Sequence, residues 1–300
     1  MGTATVDLMH ADVVAEGLYF GEGPRWHDGR LWFSDFYDHA VKTFQPESGM
    51  RTVLELEDRP SGLGWLPDGR MLVVSMTARQ VLVVDGGRVA VYADLSELAG
   101  FHCNDMVVDD QGRAYVGNFG FDLDTALAER GVESVLETHA TAVMARIDPD
   151  GTVSAVADQL HFPNGTVITP DGGTLIVAET LGMRLTAFDR APDGSLGNRR
   201  VWADLGGRVP DGICLDAEGM VWVANPLAPE CFLVAEDPAA GDVVDVITTS
   251  QPCFACMLGG DDGRTLYMLT AENSHHAVAS ASRTGRLEAT RVMVPHAGRP

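Results

Sequence analysis

The chain has 300 residues, 45% of them apolar, enough by length for one or two domains with a sizeable core. Its 43 acidic against 21 basic residues leave a formal net charge of −22. A surface that acidic repels phosphate backbones and anionic lipid, which argues against nucleic-acid and membrane-surface roles and is compatible with cation binding.

No apolar run approaches the roughly 18 residues that a bilayer span needs. Residues 1–12 lack the basic-then-apolar order of a secretory leader, and Cys103, Cys214, Cys231, Cys253 and Cys256 have no disulfide-framework spacing. A reducing, cytoplasmic setting is therefore expected. Cys253-Phe254-Ala255-Cys256 is a lone CxxC without a second pair or nearby histidines, and reads as two small buried residues rather than a zinc site. Asn164-Gly165-Thr166 matches a glycosylation acceptor but has no secretory context.

Taken in order, residues 12–20 alternate apolar and polar ahead of the first repeat, and are expected to pair with the last one. A unit then recurs: a polar lead residue, a small or polar one, an apolar run, a turn ending in Gly, and a second apolar run. It starts at Glu22-Gly23, Ser61-Gly62, Asn104-Asp105, Asn164-Gly165 and Asp211-Gly212, with a blurred sixth copy at Ala255-Cys256. The turn glycines fall at Gly29, Gly69, Gly112, Gly172, Gly219 and Gly263, at intervals of 40, 43, 60, 47 and 44 residues. That period suits a four-stranded propeller blade, and the turns carry the hairpin signal. The fold predicted is an all-β, six-bladed β-propeller using the whole chain as one domain.

The 60-residue interval places an insertion at about 120–140. Residues 123–139 are rich in helix formers broken by Gly131, and are expected as a loop or short helix partly covering the channel mouth. In a propeller the innermost strands line the central channel, so Glu22, Asn164 and Asp211 would converge from three blades. Asn104, Asp105 and Asn118 would add polar groups from blade three. Singly, Asx residues at strand starts cap turns; converging in register, they form an oxygen-only set suited to Ca2+, Mg2+ or Mn2+. Ser61 is a poor metal ligand. His275-His276 reads as an exposed turn.

Gly21-Glu22-Gly23-Pro24-Arg25-Trp26, Phe162-Pro163-Asn164-Gly165 and Pro210-Asp211-Gly212-Ile213-Cys214-Leu215-Asp216-Ala217-Glu218-Gly219 resemble the signatures of the SMP-30/gluconolactonase/LRE family, in order and across nearly the whole chain. The resemblance implies a six-bladed propeller with one divalent ion (Ca2+ first, with Zn2+, Mn2+ or Mg2+ as alternatives) that hydrolyses a small-molecule lactone or related ester. It implies Glu22, Asn164 and Asp211 as metal ligands, with Asp211 also the base, and Asn104-Asp105 as substrate contacts. Sugar-lactone members carry Arg two positions before the substrate Asn, where this chain has His102. A family acidic residue that grips sugar hydroxyls is matched by Asp122. Asn118 would support the ion or a bound water.

The aromatic set Phe36, Phe101, Phe119, Phe121, Phe162 and Phe254 favours an apolar or aromatic lactone over a hexonolactone. Two other classes stay open: a non-enzymatic cation-binding or scaffold propeller, and a paraoxonase-like arylesterase. A strictosidine-synthase-like condensing enzyme would be expected to lack the Glu/Asn/Asp set. No Gly-x-Ser-x-Gly elbow is present, and oligomeric state is left open.

Overall fold

A computed structural model describes residues 9–298 except 238, 240 and 241; the first eight residues, part of the stretch read as lacking a leader, lie outside the described residues. The strands form six antiparallel sheets arranged as a six-bladed β-propeller. Each sheet opens with an innermost strand: Gly21–His27, Pro60–Trp65, Cys103–Val108, Pro163–Ile168, Ile213–Leu215 and Cys253–Gly259. Each of these packs against the next around the ring, and the sixth against the first.

Burial falls from the axis outwards, and the sequence shows why. Pro163–Ile168 and Cys253–Gly259 are buried along their full length and carry no charged residue, whereas the outermost Arg88–Asp94 and Gly49–Glu55 are mostly exposed and carry two each. The hydrophobic core lies between blade faces. Leu31, Phe33 and Phe44 of blade one share a cluster with Tyr267 of blade six and Trp222 of blade five. Leu72 and Val74 of blade two pack with Met106 and Val116 of blade three.

All six turn glycines adopt a left-handed φ, from 70 to 89°, the conformation that closes a hairpin and that side chains resist. In five of the six turns an aspartate ahead of the glycine accepts the backbone N–H two residues on, as Asp171 does from Gly173 (2.9 Å) and Asp216 from Glu218 (2.9 Å). Those carboxylates are turn formers.

The ring is fastened by the amino-terminal strand. Asp12–Leu18 lies antiparallel against Gly285–Arg291 as the outer strand of blade six, with Asp12 opposite Ala289 and Leu18 opposite Gly285. The pairing expected from residues 12–20 is present. The preceding Met9–His10 adds a short parallel strand to Val243–Thr248 of blade five, so one segment spans two blades. Between blade-three strands Ala114–Asn118 and Ala142–Ile147 lies a helix, Leu123–Thr138. Gly131 (φ 75°, ψ 166°) breaks it in two. Among the described residues, no helix is long and apolar enough to cross a membrane.

Candidate functional site

In five of the six blades the lead residues sit at a local defect in the pairing, and in blade five Asp211 stands just ahead of the innermost strand. The register of innermost and second strands shifts between Glu22 and Arg25, Pro60 and Leu63, Cys103 and Met106, Pro163 and Thr166, and Cys253 and Ala255. Such bulges interrupt pairing and re-aim a side chain, which is why they gather beside sites. The glycine after the lead has a steric reason. A Cβ on Gly62 would come 2.4 Å from the Met106 backbone nitrogen, and one on Gly165 2.4 Å from that of Ile213. Neighbouring innermost strands approach this closely only without a side chain.

Glu22, Asn104, Asp105, Asn118, Asn164 and Asp211 are all buried, none more than 7% exposed. A hydrogen-bond chain crosses blades two to four. Ser61 Oγ donates to Asn104 Oδ1 (3.2 Å), Asn104 Nδ2 donates to Asn164 Oδ1 (3.0 Å), and the Asn164 amide donates to Thr180 Oγ1 (3.3 Å). Ser61, unpromising as a ligand, is the anchor that orients Asn104.

The electrostatics are strained. Burial, then the Asp211 and Asp105 carboxylates, push Glu22 well above the usual carboxylate range. Burial and Asp105 do the same to Asp211. Burial raises Asp105 as well, opposed by the Arg25 guanidinium. Arg25 is itself buried and donates to the carbonyls of Pro24 and Met106. Three carboxylates around one guanidinium leave, when ionised, a surplus of two negative charges. Among the described residues no group of three His, Cys, Asp or Glu side chains is arranged as a metal site. The set of Glu22, Asp211 and the Asn164 amide is of another kind, hard oxygens only. Its donor chemistry and charge surplus both fit one divalent cation.

Above these groups opens a cleft of about 720 Å³. Glu22, Asn104, Asn164 and Asp211 lie among its lining residues, with walls of Phe20, Phe36, Phe101, Phe119, Phe162 and Phe254. The rings pack on one another, Phe20 to Phe254 at 4.7 Å and Phe119 to Phe162 at 4.5 Å between centroids. The inserted helix lines one side with Leu123, Leu127, Val132 and Leu136. His139 at its end meets His161 of blade four, Nε2 to Nδ1 at 2.8 Å.

Other expected site residues are placed differently. His102 lines the cleft, its ring stacked on Phe101 at 4.0 Å. Burial and the nearby Arg59 push its pKa down to about 4, so it is neutral at pH 7. Asp105 lies outside the cleft lining and acts on the site through its charge. Asn118 is not brought to the cleft either; its amide donates to the Val143 carbonyl (2.6 Å) and accepts from Gly120 N–H (2.9 Å), pinning the start of the insertion. Asp122 reaches the cleft edge, but its two carboxylate oxygens cap the helix through Thr125 N–H (3.1 Å) and Oγ1 (2.8 Å). Phe121 stacks near His139 rather than lining the cleft.

Sequence reasoning missed Arg59, Tyr37, Phe20, Thr180 and the His275-His276 pair, all in the cleft lining. None stands at a repeat position, so only the blade-to-blade arrangement exposes them. The pair, read as an exposed turn, is exposed but sits at the mouth, with His276 tilted against Tyr37 at 5.2 Å. The CxxC cysteines are buried and free, as are the other three.

Fold and site together define a six-bladed propeller with an oxygen-donor centre at the base of an aromatic cleft. The SMP-30/Gluconolactonase/LRE-like model matches residues 20–272, and the chain belongs to that family. It is 26% identical over 293 residues to regucalcin of Danio rerio, covering 90% of this chain and 89% of the relative. It is 28% identical over 269 residues to the pentonolactonase XacC of Haloferax volcanii, covering 86% and 84%. The solved structure of a calcium-binding protein, regucalcin, from Agrobacterium tumefaciens superposes with a TM-score of 0.79 at 21% identity, over 99% of each chain.

Proposed function

We propose that this chain is a divalent-cation-dependent lactonase whose substrate ring is apolar or aromatic. The observation that carries the reading is the cluster of three buried carboxyl groups, Glu22 and Asp211 in the lining of an aromatic-walled cleft with Asp105 behind them. Membership of the gluconolactonase family, with a pentonolactonase among the relatives, supports lactone opening. Glu22, Asn164 and Asp211 would hold the ion, Ca2+ first and Zn2+, Mn2+ or Mg2+ as alternatives. Once bound, it would supply Lewis-acid polarisation of the ester carbonyl and a lowered pKa for water beside it.

The chain's own residues do the rest. Water oxygen bonds to the carbonyl carbon, the ring C–O bond breaks, and the product is an open hydroxy acid. Asp211 takes the water proton on a carboxylate oxygen and returns it to the departing ring oxygen. Asn104, fixed by Ser61 and Asn164, orients the ring. The phenylalanine walls exclude bulk water and favour a flat, apolar body over a hexonolactone. The same walls accept aryl esters, so an arylesterase side activity is the second reading. Five free, buried thiols support a reducing compartment.

The test is turnover of a panel containing glucono-1,5-lactone, γ-butyrolactones and dihydrocoumarin, followed by acid release. EDTA and Asp211→Ala are each expected to lower the rate by about a hundredfold or more, with dihydrocoumarin preferred to the sugar lactone. Failure to open any lactone with Ca2+, Zn2+, Mn2+ or Mg2+ supplied would remove the reading and leave a cation-binding or scaffold role.

A further inference from the structure

We propose that Arg59 is a substrate-binding residue that selects, among apolar lactones, those carrying a carboxylate or equivalent anionic group. The inference rests on the hydrolase reading of the same cleft and adds to it the charge of the substrate.

Arg59 precedes the innermost strand of blade two and is the one arginine or lysine among the residues lining the cleft. In a chain with twice as many acids as bases it would be expected to pair with a carboxylate. Among the described residues it makes no ion pair; its guanidinium lies over the Tyr37 ring, 5.8 Å from the centroid, while the Tyr37 hydroxyl donates to the Ser274 carbonyl at 3.4 Å. The adjacent acid is occupied elsewhere. Asp58 accepts from Ser75 Oγ (2.7 Å) and from the backbone N–H groups of Thr77 and Ala78 (2.9 Å each), as well as from the Thr77 hydroxyl. Asp124, whose charge also reaches Tyr37, receives the His276 N–H at 3.4 Å. A half-buried guanidinium beside Tyr37 thus presents a planar fork of N–H donors that, among the described residues, no carboxylate pairs with.

That geometry suits a carboxylate, which accepts two parallel N–H bonds from such a fork. The surroundings complete the pocket. Tyr37 lies beside Arg59, while His102, stacked on Phe101, is a neutral imidazole that adds no charge of its own. An anion entering a protein of net charge −22 is repelled at long range, so recognition depends on a local cation. Arg59 is half-buried whereas the carboxylates Glu22 and Asp211 are buried, so the anionic substituent and the scissile ester would occupy different depths of the cleft. The aromatic rings lining the same cleft fit a flat apolar spacer.

The test compares γ-phenyl-γ-butyrolactone with its para-carboxylate in the wild type, Arg59→Gln and Arg59→Lys. The wild type is expected to favour the carboxylate, and Arg59→Gln to lower the acid-to-neutral ratio of kcat/KM by about tenfold or more, through KM for the acid. Arg59→Lys should restore part of the ratio. Equal losses on both substrates, or a wild type that favours the neutral lactone, would overturn the proposal by showing that Arg59 only packs. Calorimetry with para-hydroxyphenylacetate separates this from lactonase failure. Binding to the wild type and about tenfold weaker binding to Arg59→Gln sustains the anion pocket even if no lactone is opened. Equal binding to both overturns it whatever the catalytic result.

Discussion

Asp105 shows how a residue can shape a site that it does not line. Its carboxylate raises both Glu22 and Asp211 and is opposed by Arg25. Replacing it with Asn removes one negative charge and leaves Arg25 less compensated, so Asp105→Asn should weaken Ca2+ binding by about tenfold with the three proposed ligands intact. Calorimetric titration checks this; an unchanged affinity would mean that Arg25 already neutralises Asp105. His102 carries a second residue-scale consequence. Its folded pKa of about 4 lies below the unfolded value of about 6.5. Proton uptake therefore favours the unfolded chain between those values, and the His102 contribution to stability is full above pH 6.5 and lost as pH falls towards 4. Melting temperature followed from pH 7 to pH 4 should fall less steeply in His102→Gln than in the wild type. Parallel curves would contradict the burial of that ring.

At the scale of elements, the innermost strand is a compromise between pairing and site building. Its bulge gives up ladder bonds to aim the lead side chain, and the glycine that follows lets the next blade close in. Gly165→Ala puts a methyl group 2.4 Å from the Ile213 nitrogen, next to Asp211. Either blade four or blade five must then shift, at a cost of about 1–3 kcal/mol. A lowered urea midpoint and weakened Ca2+ affinity are expected together, because the same shift moves Asn164 relative to Asp211. A stability loss without any change in metal affinity would separate the glycine from the site. The inserted helix is the counterpart on the open side. It is capped by Asp122, broken at Gly131 and tied to blade four through His139 and His161.

For the molecule as a whole, closure is decided far from the cleft. Residues 12–18 supply the last strand of blade six, and Arg283 of that blade reaches Asp38 of blade one at 2.5 Å. Deleting residues 1–18 would uncover the edge of Gly285–Arg291 and the side of Leu18's cluster that holds Leu269 and Leu287. An exposed strand edge is a template for association. The truncated chain is expected to scatter light on mild heating and to unfold at lower urea than the full chain. Cation binding acts in the opposite direction at this scale. An ion held only by the folded ring raises stability by about 2.7 kcal/mol at a hundred times its Kd, so EDTA should lower the melting temperature, and should do so little in Asp211→Ala.

The repeat, its period and its turn glycines were legible in the chain because each blade must solve the same local problem: an acid and a glycine closing a hairpin between two buried strands. The lead residues were legible too, since a polar side chain recurring ahead of an apolar run has no local reason to be there five times over. The roles of Ser61 and Asp105 and the positions of Arg59 and Tyr37 were not legible. Ser61 and Asn104 stand 43 residues apart and meet only where two blades adjoin. Asp122, Asp124, His275 and His276 approach one another from blades three and six only after the ring has closed. Local sequence therefore determined which strands form and which residues face the axis. Tertiary structure decided which charges share one buried volume and which are left without a partner, because that depends on contacts between blades that no local pattern encodes.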